Sequence, residues 1–214
     1  SMDKAFSEVC IGIVDYGIGN IGSISNMLSF LRIPSMKLMS AKDFCRVDRF
    51  ILPGIGAFDA AVSQLQKRDL WEAVREAALS DKPFLGICLG MQLLADGSEE
   101  GDLPGLGVIP GFVRRLRPKE SSGLKVPHMG WADVHPVPHP LFAGFERPRF
   151  YFVHSYCYQC AKETDRVATA EYGKTITAAC GRDSALGVQF HPEKSHAFGM
   201  KLFQNFAGLP YAKN

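Results

Sequence analysis

Short apolar runs that alternate with helical patterns constrain the fold of this chain more than any other feature. Residues 9–14, 50–52 and 84–87 are nearly continuous apolar runs, which is the pattern of strands buried on both faces. A turn containing glycine follows each run, and each turn leads into a segment that favours a helix. Strands that alternate with helices up to about residue 95 predict a parallel sheet, covered by helices on both faces, with ligands at the carboxyl ends of its strands.

The helices of this first half have recognisable ends. Asn20 is a predicted N-cap for a helix that ends at Pro34, and a second helix is expected over about residues 59–66. Asp69 and Glu72 form a predicted capping box for a third helix, which runs to about Leu79. A further short strand is predicted at residues 36–39, between the first two helices.

After residue 95 the pattern changes to strand-like pieces separated by Gly and Pro. These lie at residues 107–116, 150–154, 167–172, 175–180 and 186–190, and a closing helix follows Ser195 as its N-cap. We therefore expect an α/β fold: an open, mostly parallel three-layer sheet of flavodoxin-like type, with antiparallel β additions in the second half. Residues 1–214 are expected to form one domain, with residues 1–8 as a tag remnant and N-terminal tail.

Composition excludes several kinds of partner. The 214 residues carry 24 Lys and Arg against 22 Asp and Glu, and this near-balance does not steer a protein to nucleic acid or to an anionic membrane. No apolar run approaches the ~20 residues of a membrane helix, and from the charged start Asp3-Lys4 we expect no signal peptide. We expect a cytoplasmic protein whose six cysteines are free thiols, without a metal or cofactor.

Cys88 is the strongest candidate for a catalytic residue. It stands in Gly86-Ile87-Cys88-Leu89-Gly90, the cysteine form of a nucleophile elbow, between a predicted strand and a predicted helix. Glycines on both sides allow a sharp turn without Cβ clashes, and a helix N-terminus favours a thiolate. On this motif alone, a buried structural cysteine beside packing glycines remains an equal alternative.

His191 and Glu193 supply the partners that a cysteine nucleophile needs. They follow a second apolar run and are two residues apart, so in extended backbone both side chains point the same way. The carboxylate can then hold one imidazole nitrogen while the other faces Cys88, as in a Cys-His-Glu triad. A capping histidine beside a solvated glutamate is the alternative for this segment taken by itself.

Acyl transfer also requires hydrogen-bond donors for the developing oxyanion. The backbone N–H of Leu89 is one candidate, because it follows the nucleophile directly. The turn Pro53-Gly54-Ile55-Gly56 is the other, since its glycines allow a peptide N–H to point into the site. An ordinary β-to-α turn would have the same composition.

Taken together, these motifs resemble the class I (triad type) glutamine amidotransferases. The resemblance runs nearly from end to end, and it rests on residues 15–20, 52–58, 86–94, 125–131, 151–156 and 190–195. The segment Pro127-His128-Met129-Gly130-Trp131 and Lys194 point to members that act as the glutaminase subunit beside a cyclase subunit. That partner would be a (β/α)₈ barrel which receives ammonia and forms a heterodimer with this chain.

The resemblance also implies a role for each site residue. Cys88 would attack the side-chain amide of L-glutamine, and His191 would protonate the leaving ammonia. Gly54, Ile55 and Leu89 would form the oxyanion hole, with Ile55 donating after a peptide flip. Residues that would hold the substrate are Gln92, Glu100, Ser155 and Tyr156, and those that would face the partner are Tyr16, Asn20, Trp131 and Lys194.

Other interpretations remain open from the sequence. The chain could be a paralogue serving another ammonia-using pathway, or a stand-alone thiol hydrolase of γ-glutamyl bonds. A non-enzymatic α/β module could instead bind phosphate at the Gly17-Ile18-Gly19 turn, although its glycine spacing does not match a dinucleotide fingerprint. Cys157 and Cys160 form a C-x-x-C pair, but the pair prolongs a strand, so we expect neither a zinc nor a redox site there.

Overall fold

The computed structural model describes residues 9–211, and the predicted tag remnant at residues 1–8 lies outside them. One eight-stranded sheet runs through the described residues, in the order β2-β1-β3-β4-β13-β12-β11-β8. Its strands are β1 (Ile11–Val14), β2 (Ser35–Leu38), β3 (Arg49–Leu52), β4 (Phe84–Ile87), β8 (His135–Pro136), β11 (Arg166–Glu171), β12 (Thr175–Arg182) and β13 (Ala185–Val188). The first five strands in this order are parallel, and the last three are antiparallel.

The helices lie on both faces of this sheet. They are α1 (Ile21–Phe30), α2 (Phe58–Lys67), α3 (Trp71–Leu79), α4 (Leu89–Gln92) and α5 (His196–Ala207). One apolar cluster contains Leu28 of α1 and Phe203 of α5, whereas the other contains Val62 of α2 and Val74 of α3. Each helix therefore buries its apolar side against the sheet, and the predicted α/β class with antiparallel additions is confirmed.

Two smaller β structures extend the second half. Strands β5 (Gly97–Ser98), β6 (Gly111–Arg115) and β10 (Tyr156–Cys160) form a three-stranded sheet, and β7 (His128–Asp133) pairs with β9 (Arg149–His154). The structure places Cys157 and Cys160 on β10, which agrees with the expectation that this pair prolongs a strand. Among residues 9–211, no helix is both long and apolar enough to cross a bilayer.

None of the three predicted helix caps forms the expected side-chain hydrogen bond. Helix α3 starts after Leu70 rather than Asp69, and Asp69 instead takes a left-handed φ of 56° at the end of α2. There the N–H of Leu70 bonds back to the carbonyl of Leu65, a helix-ending pattern that excludes the Asp69 capping box. Asn20 does precede α1 and Ser195 does precede α5, but neither side chain makes a cap hydrogen bond.

The neighbouring positions of β4 and β13 create the site. These strands are parallel and paired in register, with Ile87 opposite Val188. The residues that follow them, Cys88 and the segment from Gln189 to Glu193, therefore leave the sheet at the same edge. Strand β3 lies on the other side of β4, so the turn after Leu52 meets them there.

Candidate active site

Cys88 occupies a strained turn between β4 and α4. Its φ of 55° and ψ of −111° are unusual for a residue with a side chain, while its N–H bonds to the carbonyl of Val188 at 2.8 Å. A Cβ on Gly90 would lie 1.9 Å from the Leu52 carbonyl oxygen, and one on Gly86 would lie 2.4 Å from the Gly90 oxygen. The flanking glycines are therefore required by close backbone approach, and the positive φ falls on Cys88, the predicted nucleophile.

His191 and Glu193 form a buried pair. Nδ1 of His191 lies 2.5 Å from Oε1 of Glu193, and both side chains are 1% exposed. Burial acts to lower the pKa of His191, but the Cys88 sulfur and the Glu193 carboxylate together outweigh it and raise that pKa to about 10. The imidazole is therefore protonated at neutral pH and donates from Nδ1 to Glu193. Its buried Nε2 has no hydrogen-bond partner of good geometry among residues 9–211 and is the atom left for proton transfer.

Ser195 holds this histidine in place. Its hydroxyl donates to the His191 carbonyl at 2.6 Å and accepts from the Tyr151 N–H at 3.0 Å. The N–H of His191 also bonds to the Tyr151 carbonyl at 2.9 Å. The residue that the sequence marked as a helix cap thus connects the catalytic loop to β9.

In the predicted oxyanion turn, residues Pro53-Gly54-Ile55-Gly56, the Gly54 carbonyl is directed at Leu89. The carbonyl of Gly54 accepts from the Leu89 N–H at 3.3 Å, which occupies one of the two predicted donors. Because that carbonyl faces Leu89, the N–H of Ile55 in the same peptide points away from it. Gly54, Ile55 and Leu89 are thus brought together, but in this arrangement neither of the two predicted donors, the N–H groups of Leu89 and Ile55, is available to an oxyanion.

Gln92 and Glu100 line the same cavity as Cys88, and both side chains are already engaged. The amide Nε2 of Gln92 donates to the Tyr156 carbonyl and to Oε1 of Gln189, each at 3.1 Å. Oε1 of Glu100 accepts from the N–H of Phe58 at 2.6 Å and so caps the N-terminus of α2. The cavity of about 420 Å³ also includes Ser155 and Tyr156, so the four predicted substrate residues converge on it.

A buried histidine pair fixes the turn that carries Ser155. Nδ1 of His154 lies 2.9 Å from the Tyr156 carbonyl, and its Nε2 lies 2.9 Å from Nδ1 of His128. Because a carbonyl only accepts, His154 carries its proton on Nδ1 and receives a hydrogen bond from His128. Burial lowers the pKa of each imidazole to about 4, so both are neutral at pH 7.

The residues expected to face a partner divide into two groups. Trp131 is 39% exposed and stacks on His196, Lys194 is exposed beside the cavity, and Asn20 is half-buried before α1. Tyr16, in contrast, is fully buried, so the expectation that its side chain faces a partner is wrong for this structure. Its hydroxyl donates to the Pro53 carbonyl at 2.7 Å and thereby supports the oxyanion turn.

Sequence reasoning assigned no role to Gln189 and misread the role of Ser195. Both flank the predicted His191-Pro192-Glu193 segment, and both are completely buried. The available signal was a polar residue directly after an apolar strand, which needs a hydrogen-bond partner when it is buried.

Fold and site together define an enzyme class, and the comparisons agree with it. Residues 21–208 match the family model described as glutamine amidotransferase class-I, and the chain belongs to this family. A crystal structure titled glutamine amidotransferase aligns with a TM-score of 0.72 at 18% identity over 93% of this chain and 99% of that one. The crystal structure of a glutamine amidotransferase from Thermotoga maritima gives 0.63 at 23% identity, over 91% of this chain and 80% of that one. These two structures establish the fold.

Sequence relatives narrow the class to one group. The chain is 46% identical to the imidazole glycerol phosphate synthase subunit HisH of Bdellovibrio bacteriovorus, over 93% of this chain and all of the relative. It is 45% identical to subunit HisH 2 of Pseudomonas aeruginosa, over 93% of this chain and 99% of that protein. The resemblance to class I glutamine amidotransferases is therefore confirmed, and a non-enzymatic phosphate-binding module is ruled out as the class of this chain.

Proposed function

We propose that this chain is the glutaminase subunit of an imidazole glycerol phosphate synthase. It hydrolyses L-glutamine to L-glutamate and ammonia, and it passes the ammonia to a cyclase subunit that makes imidazole glycerol phosphate and AICAR in L-histidine biosynthesis. The observation that carries the proposal is the convergence of Cys88, His191 and Gln92 on one cavity, in a chain 46% identical to a HisH subunit. The family match over residues 21–208 supports one functional domain.

The first half-reaction follows from the triad. The Cys88 sulfur attacks the side-chain carbonyl carbon of glutamine, and the carbonyl oxygen becomes an oxyanion. Protonated His191 transfers its Nε2 proton to the amide nitrogen, the C–N bond breaks, and ammonia leaves a thioester on Cys88. Glu193 keeps the imidazole oriented and stabilises its charge during this transfer.

The second half-reaction regenerates the enzyme. His191, now neutral, accepts a proton from water as the water oxygen attacks the thioester carbonyl. The C–S bond breaks, glutamate leaves, and the thiolate and the imidazolium are restored. Backbone around Ser155 and Tyr156 would hold the substrate α-carboxylate through both steps, with Gln92 and Glu100 at the cavity wall.

The observed orientation of the oxyanion turn predicts a low rate of glutamine hydrolysis for the resting enzyme. Rotation of the Gly54–Ile55 peptide would free the Leu89 N–H and direct the Ile55 N–H toward the oxyanion. Loss of one such donor costs about 2.7–4 kcal/mol in known enzymes, or roughly a hundred- to a thousand-fold in rate. We therefore propose that docking of the liganded cyclase subunit, a (β/α)₈ barrel, shifts this turn to the donating orientation.

The partner surface is proposed around Trp131, Lys194 and Asn20. Trp131 on β7 stacks against His196, the first residue of α5, and Lys194 lines the cavity that contains Cys88. The six free cysteines support a reducing compartment, which agrees with a place in the cytoplasm. L-Glutamine is the only small ligand that the proposal requires on this chain.

A reconstitution assay tests the proposal. Glutamate release is measured for the chain alone, with a cyclase subunit, and with that subunit plus its phosphoribosyl-imidazole substrate. We expect little release alone, strong stimulation by the liganded subunit, and imidazole glycerol phosphate formed in step with glutamate. Rapid release without any partner would instead support a stand-alone γ-glutamyl thiol hydrolase.

A duplicated pathway is the second candidate. Relatives from Pseudomonas aeruginosa and Methanococcus maripaludis carry the name HisH 2. The test is growth of a histidine-requiring strain that lacks its own glutaminase subunit, after this chain and its cyclase partner are supplied together. Growth without histidine supports the histidine pathway, and failure of a pair that is active in vitro supports the paralogue.

A further inference from the structure

Gln189 carries a buried amide that the proposed mechanism does not use. It is the first residue after β13, two residues before His191, and its side chain is 0% exposed. A buried amide is costly unless it is hydrogen-bonded. Its Nε2 lies 3.7 Å from the Cys88 sulfur, within hydrogen-bond range for sulfur, and its Oε1 accepts from Gln92 at 3.1 Å.

The orientation of this amide is fixed by its neighbours. The Tyr156 carbonyl can only accept, so Gln92 must direct its NH₂ group toward it. The same NH₂ group faces Gln189, which must therefore present its oxygen to Gln92. Reversing the Gln189 amide would set two NH₂ groups against each other, so its NH₂ group points at Cys88.

We propose that Gln189 is a further catalytic residue, whose side-chain N–H donates a hydrogen bond to the Cys88 sulfur and stabilises it as the thiolate. A donor directed at a charged atom favours the charged form, and here the donating side chain of Gln189 is fully buried. The Val153 carbonyl, 3.8 Å from the same sulfur, accepts only from the protonated thiol. The Gln189 N–H and the Val153 carbonyl therefore favour opposite protonation states of the Cys88 sulfur.

This inference rests on the proposed role of Cys88 as the nucleophile, but its test does not require glutaminase activity. The variants are Gln189→Glu, which keeps an acceptor for Gln92 but replaces the N–H by oxygen, and Gln189→Met, which removes the donor without adding charge. Gln204→Glu, at an exposed site on α5, is the control. The other titratable groups at the sulfur, His191 and Tyr16, are unchanged in all three variants.

The measurement is the rate at which iodoacetamide alkylates Cys88 between pH 5 and pH 10, followed by mass spectrometry of the Cys88 peptide. We expect the midpoint of the curve to lie about one pH unit higher in both Gln189 variants, with alkylation about tenfold slower at pH values well below the wild-type midpoint. The control should match the wild type. With the cyclase subunit present, kcat should fall by a similar factor while KM changes little.

Two results would overturn the inference. Curves for the Gln189 variants that superimpose on the wild-type curve would show that the amide does not stabilise the thiolate. A raised KM with an unchanged alkylation midpoint would assign Gln189 to the structure of the glutamine site alone. Thermal melting establishes which variants fold, and Gln189→Met decides the question if the buried carboxylate of Gln189→Glu prevents folding. If the alkylation shift is found without any glutaminase activity, the inference stands and the proposed function fails.

Discussion

Replacing Glu193 with glutamine is a sharp test of the catalytic pair, because it removes one charge and almost no volume. The Glu193 carboxylate lies 2.5 Å from Nδ1 of His191, and both side chains are 1% exposed. A hydrogen bond between charged groups contributes about 1.5–3 kcal/mol, which corresponds to about one to two pKa units. The pKa of His191, about 10 in the wild type, should therefore fall to between about 8 and 9.

The sign of the effect on activity follows from the role of His191 as proton donor. Turnover needs the protonated imidazole, so activity is lost as the pH rises through the pKa of His191. In the variant, the alkaline limb of kcat/KM should move down by about one to two pH units. At pH 7 the imidazole stays protonated in the variant, so a loss of kcat/KM there reflects the ring orientation that the carboxylate provides, and it should be smaller than the loss in His191→Asn.

The assay is glutamate release at saturating cyclase subunit, from pH 6 to pH 10. Glu76→Gln, at an exposed site on α3, is the matched control and should keep the wild-type profile. An alkaline limb that stays in place in the Glu193 variant, together with an unchanged rate, would refute the pairing of this carboxylate with His191. Stability gives an independent readout: because the folded pKa of His191 is raised above 6.5, the stabilisation it contributes is complete below that pH and is lost as the pH rises toward about 10.

Three further predictions concern the nucleophile, the oxyanion turn and the serine behind the histidine. Cys88→Ala should abolish glutamate release while its melting temperature and cyclase binding stay near those of the wild type. His191→Asn should lose nearly as much turnover. Substantial glutamate release by Cys88→Ala would exclude the thioester intermediate. Gly54→Ala should lower the free energy of unfolding in urea by about 1–3 kcal/mol and reduce the stimulated turnover, because its Cβ would lie 2.9 Å from three atoms. A Cβ at Gly56 meets open space, so Gly56→Ala carries only the strain of φ 93°. Equal stability of the two variants would contradict this prediction. Ser195→Ala should lower the free energy of unfolding by about 1–3 kcal/mol and reduce kcat, since it leaves the Tyr151 N–H without its acceptor. Unchanged urea unfolding curves would show that the hydrogen bonds of the Ser195 hydroxyl are dispensable.

The sequence predicted those elements whose residue pattern follows directly from the physical chemistry of strands and turns. Apolar runs located β1, β3 and β4, and the elbow motif placed Cys88 at a strand-to-helix turn, because the close approach of Gly86 and Gly90 to backbone atoms leaves no alternative residue there. The convergence of Cys88 and His191 was also predictable, since parallel neighbours deliver their carboxyl ends to one edge.

Other features depend on tertiary contacts that no local pattern encodes. Asp69 reads as a helix cap, yet it ends α2 because the chain must reverse before Leu70. The sequence also predicts Ser195 as a cap, but its hydroxyl instead hydrogen-bonds to backbone groups of His191 and Tyr151, which lie on different segments. Tyr16 is buried because its loop packs under the oxyanion turn, where a Cβ on Gly19 would lie 2.8 Å from Pro53.

The orientation of the Gly54–Ile55 peptide is the feature that sequence is least able to determine, and its energetics explain why it suits control. The hydrogen bond from Leu89 to the Gly54 carbonyl, at 3.3 Å, has a net worth of only about 0.5–1.5 kcal/mol. An oxyanion donor is worth about 2.7–4 kcal/mol in the transition state. A partner that supplies about 1.4 kcal/mol in favour of the rotated peptide changes its population tenfold. A bias of about 2.7–4 kcal/mol, still smaller than the binding free energy of a typical interface, is therefore needed to release the full catalytic gain of two to three orders of magnitude.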